Sequence, residues 1–166
     1  VAAIANDGVI YRPHFVNYVE NPKTGERSYA EPQAMKTIPL KDRNLEVIKR
    51  AMVGVNKEGT GARAFAGAGY TSAGKTGTAQ VIALKQNEKY SDATVAEHFR
   101  DHALFIAFAP VESPKIALAV VVENAGFGAR AAAPVARKVL DYYLLGKRID
   151  KPAEPAPALK GEDGDD

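Results

Sequence analysis

Two apolar runs of seven residues, 103–109 and 116–122, stand only six residues apart, and the link Pro110-Val111-Glu112-Ser113-Pro114-Lys115 between them holds two prolines. Short runs rich in Val, Ile and Phe, bounded by turn residues, read as strands of a buried sheet. So short a link joins antiparallel neighbours, because a parallel pair needs a crossover of about a dozen residues or more. A third strand candidate lies upstream, where residues 69–82 gather one lysine, several hydroxyls and three glycines before turning apolar. The three make an antiparallel meander. Residues 42–56 have helical periodicity, with Leu45, Ile48, Met52 and Val55 on one face. A second helix is expected over 131–145, with Val135, Val139 and Tyr142 or Tyr143 sharing a face and a stop at Gly146. The expected class is α+β: one antiparallel sheet, built from the lysine strand and the two strands after it, packed with helices.

Composition narrows the function. The chain has 166 residues, 46% of them apolar, with a net charge of +2, so a nucleic-acid partner is not indicated. Six acids and two lysines fall from Asp150 onward, which leaves the body mildly basic. Residues 150–166, rich in Pro, Ala and acid, read as a disordered tail behind a folded body of 1–149. There is no cysteine, which removes disulfide and thiolate chemistry and suits a periplasmic protein. No membrane-length apolar run is present. Val1 to Gly8 reads as the end of a helix with no capped start, so the chain is expected to be the C-terminal piece of something longer. Residues 9–16 read as a short edge strand around Pro13, and Asn21-Pro22-Lys23-Thr24-Gly25-Glu26 as a hairpin turn. The polar stretch 85–101 is expected to hold a short helix capped by Ser91 or Asp92. On that helix His98 and His102 sit four apart, a zinc-compatible spacing, but no third ligand is evident. No metal and no cofactor is assigned.

The lysine stretch admits three chemistries. Gly69-x-x-x-x-Gly74-Lys75-Thr76 has the letters of a phosphate loop, which would make the chain a nucleotide hydrolase. That loop needs a strand before it and a helix after it, and Gly77, Thr78, Val81 and Ile82 favour a strand after it. Ser72-Ala73-Gly74-Lys75 has the letters of an S-x-x-K nucleophile motif. There, serine and lysine must lie one helical turn apart, and an extended segment puts them on opposite faces. Ser72 is therefore rejected as nucleophile. Lys75-Thr76-Gly77-Thr78 also fits a K-T-G box, carried on a strand at the edge of a cleft. The local residues agree with the third reading.

Around that box stand Asn6-Asp7-Gly8 with Arg12-Pro13-His14, Gly59-Thr60-Gly61-Ala62-Arg63, Phe108-Ala109-Pro110, Val122-Glu123-Asn124 and Ala132-Ala133-Pro134-Val135-Ala136-Arg137. The series resembles the back half of a class B penicillin-binding protein transpeptidase domain, most like elongation-type members of Gram-negative bacteria, over nearly all the chain except the tail. The resemblance implies a penicillin-recognising fold and serine acyl transfer between peptidoglycan stem peptides during cell elongation, with β-lactams as inhibitors. By position, Lys75 supplies positive charge and a hydrogen bond to the S-x-N serine. Thr76 and Thr78 hold a carboxylate, Gly77 admits the substrate backbone, and the Thr78 backbone N–H is one oxyanion donor. Catalytic roles thus fall to Lys75 and Thr78, and substrate binding to Lys75, Thr76, Gly77 and Thr78. The S-x-x-K and S-x-N motifs belong upstream of Val1, so the chain alone is expected to be inactive. The implied partners are stem peptides, β-lactams, the missing N-terminal part of the domain, a membrane glycosyltransferase and an elongation scaffold. The implied location is the periplasm, anchored to the inner membrane by a helix outside this chain. A non-catalytic docking domain of a cell-wall complex stands as the other class.

Overall fold

The computed structural model describes residues 1–83 and 95–148. Among them the chain order is α1 (Ala2–Ala5), β1 (Val9–Tyr11), β2 (Tyr18–Glu20), β3 (Arg27–Tyr29), β4 (Ala34–Thr37), α2 (Asp42–Lys57), α3 (Ala62–Phe65), β5 (Ala73–Ala79), a 3₁₀ turn at Glu97–Phe99, β6 (His102–Ala109), β7 (Ile116–Val122) and α4 (Ala132–Leu145). The three strands expected to form a meander do so, antiparallel and in the order β5-β6-β7. The class is α+β as expected.

β6 takes the centre because its side chains suit burial on both sides. Ala103, Phe105, Ala107, Phe108 and Ala109 have no accessible surface. Phe105 and the alanines 103, 107 and 109 face α4 and α3, packing with Phe65, Ala132, Ala133, Ala136 and Leu140. Phe108 turns to the other face, where Ala5, Met52 and Ala73 meet it. Each fully buried Phe or Leu is worth about 1.5–3 kcal/mol, so this two-faced strand accounts for much of the core.

Both long helices form where periodicity places them, but their buried faces differ from expectation. In α2 the buried residues are Leu45, Met52 and Asn56, while Ile48 stays exposed. The helix leans on the sheet along a narrow stripe that a polar Asn completes. In α4 the buried side chains are Ala132, Ala133, Ala136 and Leu140, with Leu144 packed against the same core. Val135, Val139, Tyr142 and Tyr143 do share a face, but it points outward. Alanines let the helix axis approach the bulky Phe105, which larger side chains would prevent. Gly146, at φ +65°, ends α4 as expected.

At the N-terminal end the strand expected over 9–16 stops at Tyr11, before Pro13, and pairs antiparallel with β4, which sequence patterning did not reveal. The hairpin about residues 21–26 is present as β2 and β3. The helix expected from Ser91 or Asp92 falls partly on residues outside the described ones. Within the described part of that stretch the chain makes a single 3₁₀ turn and then enters a strand at His102.

α4 is tied to α3 and the loop after it by one ionic network. Arg137 Nε donates to Asp141 Oδ1 at 2.7 Å, and its Nη1 donates to the carbonyls of Ala64 and Ala66 at 3.1 and 3.0 Å. Tyr70 donates its hydroxyl to the same carboxylate oxygen at 2.8 Å. Burial and this bond push the tyrosine hydroxyl well above its ordinary value. Burial alone would raise the Asp141 carboxyl. The hydrogen bonds from Arg137 and Tyr70, with the charges of Arg137 and Lys147, outweigh it and leave the carboxyl below the ordinary carboxylate range.

A carboxyl lowered on folding stabilises the fold above its unfolded value, and that contribution is lost as pH falls through the folded value. Asp141→Asn is therefore expected to cost about 1–3 kcal/mol near neutral pH and to flatten the acid side of the stability–pH curve, read by denaturant unfolding from about pH 7 to 3. A second expectation concerns Gly128, in the loop before α4. A Cβ there would lie 2.5 Å from the carbonyl oxygen of Gly77 and would also clash with that of Leu104. Backbone cannot yield as a flexible side chain does, so Gly128→Ala should cost about 1–3 kcal/mol. At Gly69 a Cβ meets only the tip of Leu145 at 3.7 Å, so Gly69→Ala should stay within about 0.5 kcal/mol by the same unfolding assay.

Candidate active-site wall

All four residues assigned to the site lie on β5, an edge strand of the three-stranded sheet. Strand alternation puts Lys75 and Gly77 on one face and Thr76 and Thr78 on the other. Their partners on β6 are Ile106 for Lys75, Phe105 for Thr76, Leu104 for Gly77 and Ala103 for Thr78. Lys75 and Thr78 are exposed, and Thr76 and Gly77 are half-buried. The Lys75 ammonium donates to the carbonyl oxygen of Thr76 at 2.8 Å, and no carboxylate among the described residues pairs with it. The strand thus presents a cation and hydroxyls beside backbone at a sheet edge, a set suited to holding an anionic, extended ligand.

The structure on either side of Lys75 excludes the other two chemistries. Residues before the strand form α3 and a loop, and the chain from Lys75 onward is extended, so the helix whose N-terminus a phosphate loop requires is not there. The nucleotide-hydrolase reading of Gly69, Lys75 and Thr76 is overturned on that geometry. Ser72 is buried at 7% exposure and its Oγ accepts from Asn56 Nδ2 at 2.9 Å. It sits at the entry to a strand rather than one helical turn from Lys75, in keeping with its rejection as nucleophile.

The wall depends on residues to which sequence reading gave no role. Asn56, near the C-terminal end of α2, anchors Ser72, and its Oδ1 is buried without a hydrogen-bond partner among the described residues. A Cβ on Gly74 would fall 2.7 Å from that Oδ1 and 2.6 Å from Phe105 Cζ, so only glycine fits between helix and sheet here. Thr60, in the Gly59-Thr60-Gly61 loop that closes α2, has its Oγ1 2.9 Å from Oγ1 of Thr76. Gly128 lies against the backbone of Gly77. From within the chain, it is the loop carrying Gly128 that comes this close to Gly77. Thr60 had a signal in sequence, since it lies in the Gly59-Thr60-Gly61-Ala62-Arg63 segment that carries part of the resemblance. Gly128 ends a glycine-rich loop, residues 124–128, that leads into the second helix, a signal that assigned it no contact, and nothing in the sequence pointed to Asn56.

A polar hub holds the far end of the wall. Asn124, at φ +54°, donates its backbone N–H to His102 Nδ1 at 3.0 Å and its amide to the carbonyls of His98 and Arg100, each at 3.0 Å. Asp101 Oδ1 accepts from the N–H of Val81 at 3.1 Å, just past β5, and the Asp101 carbonyl accepts from Gly126 at 2.8 Å. The two histidines do not share a helix: His98 belongs to the 3₁₀ turn and His102 to β6. Among the described residues no group of three or more His, Cys, Asp or Glu side chains could hold a metal ion.

Comparison with known proteins identifies the family. The chain matches the model of the penicillin binding protein transpeptidase domain over residues 1–141. It is 44% identical over 144 residues to peptidoglycan D,D-transpeptidase MrdA of Haemophilus influenzae, covering 85% of this chain and 22% of that protein. It is 36% identical over 164 residues to MrdA of Escherichia coli, covering 96% of this chain and 25% of the relative. The chain thus spans about a quarter of the length of the curated relatives it matches. Among solved structures it is similar to Pseudomonas aeruginosa PBP2 in complex with WCK 5153, with a TM-score of 0.63 and 38% identity over 93% of this chain and 31% of that one. Penicillin-binding protein A from M. tuberculosis, as a penicillin G acyl-enzyme complex, gives a TM-score of 0.62 and 31% identity over 86% of this chain and 30% of that one. An edge strand bearing Lys75-Thr76-Gly77-Thr78, set in this fold and matched along 1–141, places the chain in the penicillin-binding protein transpeptidase family.

Proposed function

We propose that this chain supplies the K-T-G wall of a peptidoglycan D,D-transpeptidase active site, as the C-terminal portion, residues 1–149, of a larger transpeptidase domain. The carrying observation is the Lys75-Thr76-Gly77-Thr78 edge strand, with Lys75 and Thr78 exposed, within the family match. In the reaction, a serine hydroxyl outside this chain attacks the carbonyl of a D-Ala-D-Ala peptide bond, and its proton passes to the S-x-x-K lysine. The tetrahedral oxyanion is held by the Thr78 backbone N–H and by the N–H of the nucleophile. D-Ala then leaves, and an amine of a neighbouring stem peptide takes the acyl group. Lys75 contributes positive charge to the cleft, the hydroxyls of Thr76 and Thr78 hold the terminal carboxylate, and Gly77 lets the ligand lie as an added strand.

The same wall would receive a β-lactam, whose ring carbonyl and carboxylate mimic those groups. The wider setting of the proposal is cell elongation at the periplasmic face of the inner membrane, beside a membrane glycosyltransferase and an elongation scaffold. No helix of the described residues is long and apolar enough to cross a membrane, so an anchor would come from elsewhere in the protein.

Intact-mass analysis of the full-length protein after exposure to penicillin G should show a single penicilloyl adduct, formed about a hundredfold more slowly in Lys75→Ala. A folded wild type that acquires no adduct would overturn the reading. The chain expressed by itself should acquire none, and a stable adduct on it would show that the nucleophile lies within these residues.

A further inference from the structure

The contact between Thr60 and Thr76 has chemistry beyond its geometry. Two hydroxyl oxygens 2.9 Å apart share one proton between them, and the second proton is left to point elsewhere. If Thr76 donates to Thr60, it turns lone pairs outward and repels a carboxylate. If Thr60 donates, Thr76 accepts inward, its own proton points outward, and the accepted bond polarises its O–H into a better donor. A carboxylate offers only lone pairs, so it is compatible with the second arrangement alone. Thr60 is well placed to impose it. Its loop is pinned by Gly59 and Gly61, whose N–H groups donate to the carbonyls of Gly54 and Val55 in the last turn of α2, each at 2.9 Å. The same helix end grips the entry of β5 through Asn56 and Ser72. The Lys75 ammonium on the Thr76 carbonyl adds positive charge to the same residue.

We infer that Thr60 is a positioning residue for carboxylate recognition: it donates to Thr76 Oγ1 and so makes Thr76 the outward donor to the carboxylate of a β-lactam or a stem peptide. The inference rests on the transpeptidase reading and deepens it by naming what sets the direction of a wall hydroxyl. Its test compares penicillin G with penicillin G methyl ester, which lacks the negative charge, as acylating agents of the full-length protein, monitored by intact mass over time. Thr60→Val keeps the shape and removes the hydroxyl. It should slow acylation by the acid about five- to tenfold and leave the slower acylation by the ester at its wild-type rate. Thr60→Ser keeps the hydroxyl but loses the methyl that restrains χ1, and should fall between wild type and Thr60→Val. Thr76→Val should slow the acid more than Thr60→Val does, and the double variant should be no slower than Thr76→Val, because Thr60 acts through Thr76.

Equal slowing of acid and ester by Thr60→Val, or effects of the two substitutions that simply multiply, would overturn the inference while leaving the transpeptidase reading intact. A folded wild type that neither agent acylates would bring down the reading and the inference together.

Discussion

The structure depends on β6 being covered on both faces and along both edges. Ala103, Phe105, Ala107, Phe108 and Ala109 are inaccessible, so a strand must lie on each side and a layer above and below. β5 is fixed in register by that demand: Gly77 must face Leu104 and Lys75 must face Ile106. A shift of one residue would carry Lys75 to the face occupied by α3 and α4, where its charge would meet Phe105 and Phe65. Which side chains β5 presents on each face is thus set by the packing of its neighbour.

A second layer of dependence runs through loops. Three segments distant in sequence converge on β5: the end of α2 through Asn56 and Thr60, the loop before α4 through Gly128, and the 3₁₀ turn with Asp101 through Val81. Each uses a polar or glycine contact instead of an apolar one. Such contacts are directional, so they fix where the strand lies as well as whether it is buried. Arg137, Asp141 and Tyr70 do the same for α4 and the loop that leads into β5.

Much of this architecture is legible in the sequence, for identifiable reasons. Two apolar runs joined by a six-residue link leave little choice but adjacent antiparallel strands, and the lysine stretch announces a strand by its glycine and β-branched residues. The four residues proposed for the wall stand out in the sequence because they are contiguous. The contacts that Thr60 and Gly128 make with that strand do not, because they arise from proximity between distant segments that local spacing cannot encode. The same limit explains the face of α4. Periodicity groups Val135 with Val139 and Tyr142, but only the bulk of Phe105 across the interface decides that alanines turn inward. β4 escapes notice because Ala34–Thr37 is exposed throughout and carries no alternation.

β7 has a consequence for anyone handling this chain. Among the described residues it pairs only with β6, leaving one long side of Ile-Ala-Leu-Ala-Val-Val-Val with unpaired backbone groups, and Ala117, Ala119 and Val121 exposed on one face. No charge or proline interrupts the seven residues, and the nearest guards are Lys115 and Glu123 at the two ends. An open edge of that composition is a template for pairing with a second copy. Expressed as it stands, the polypeptide should be prone to self-association through β7 at high concentration. A charged substitution at Val121, which points away from the α4 side, is the change most suited to keeping it soluble.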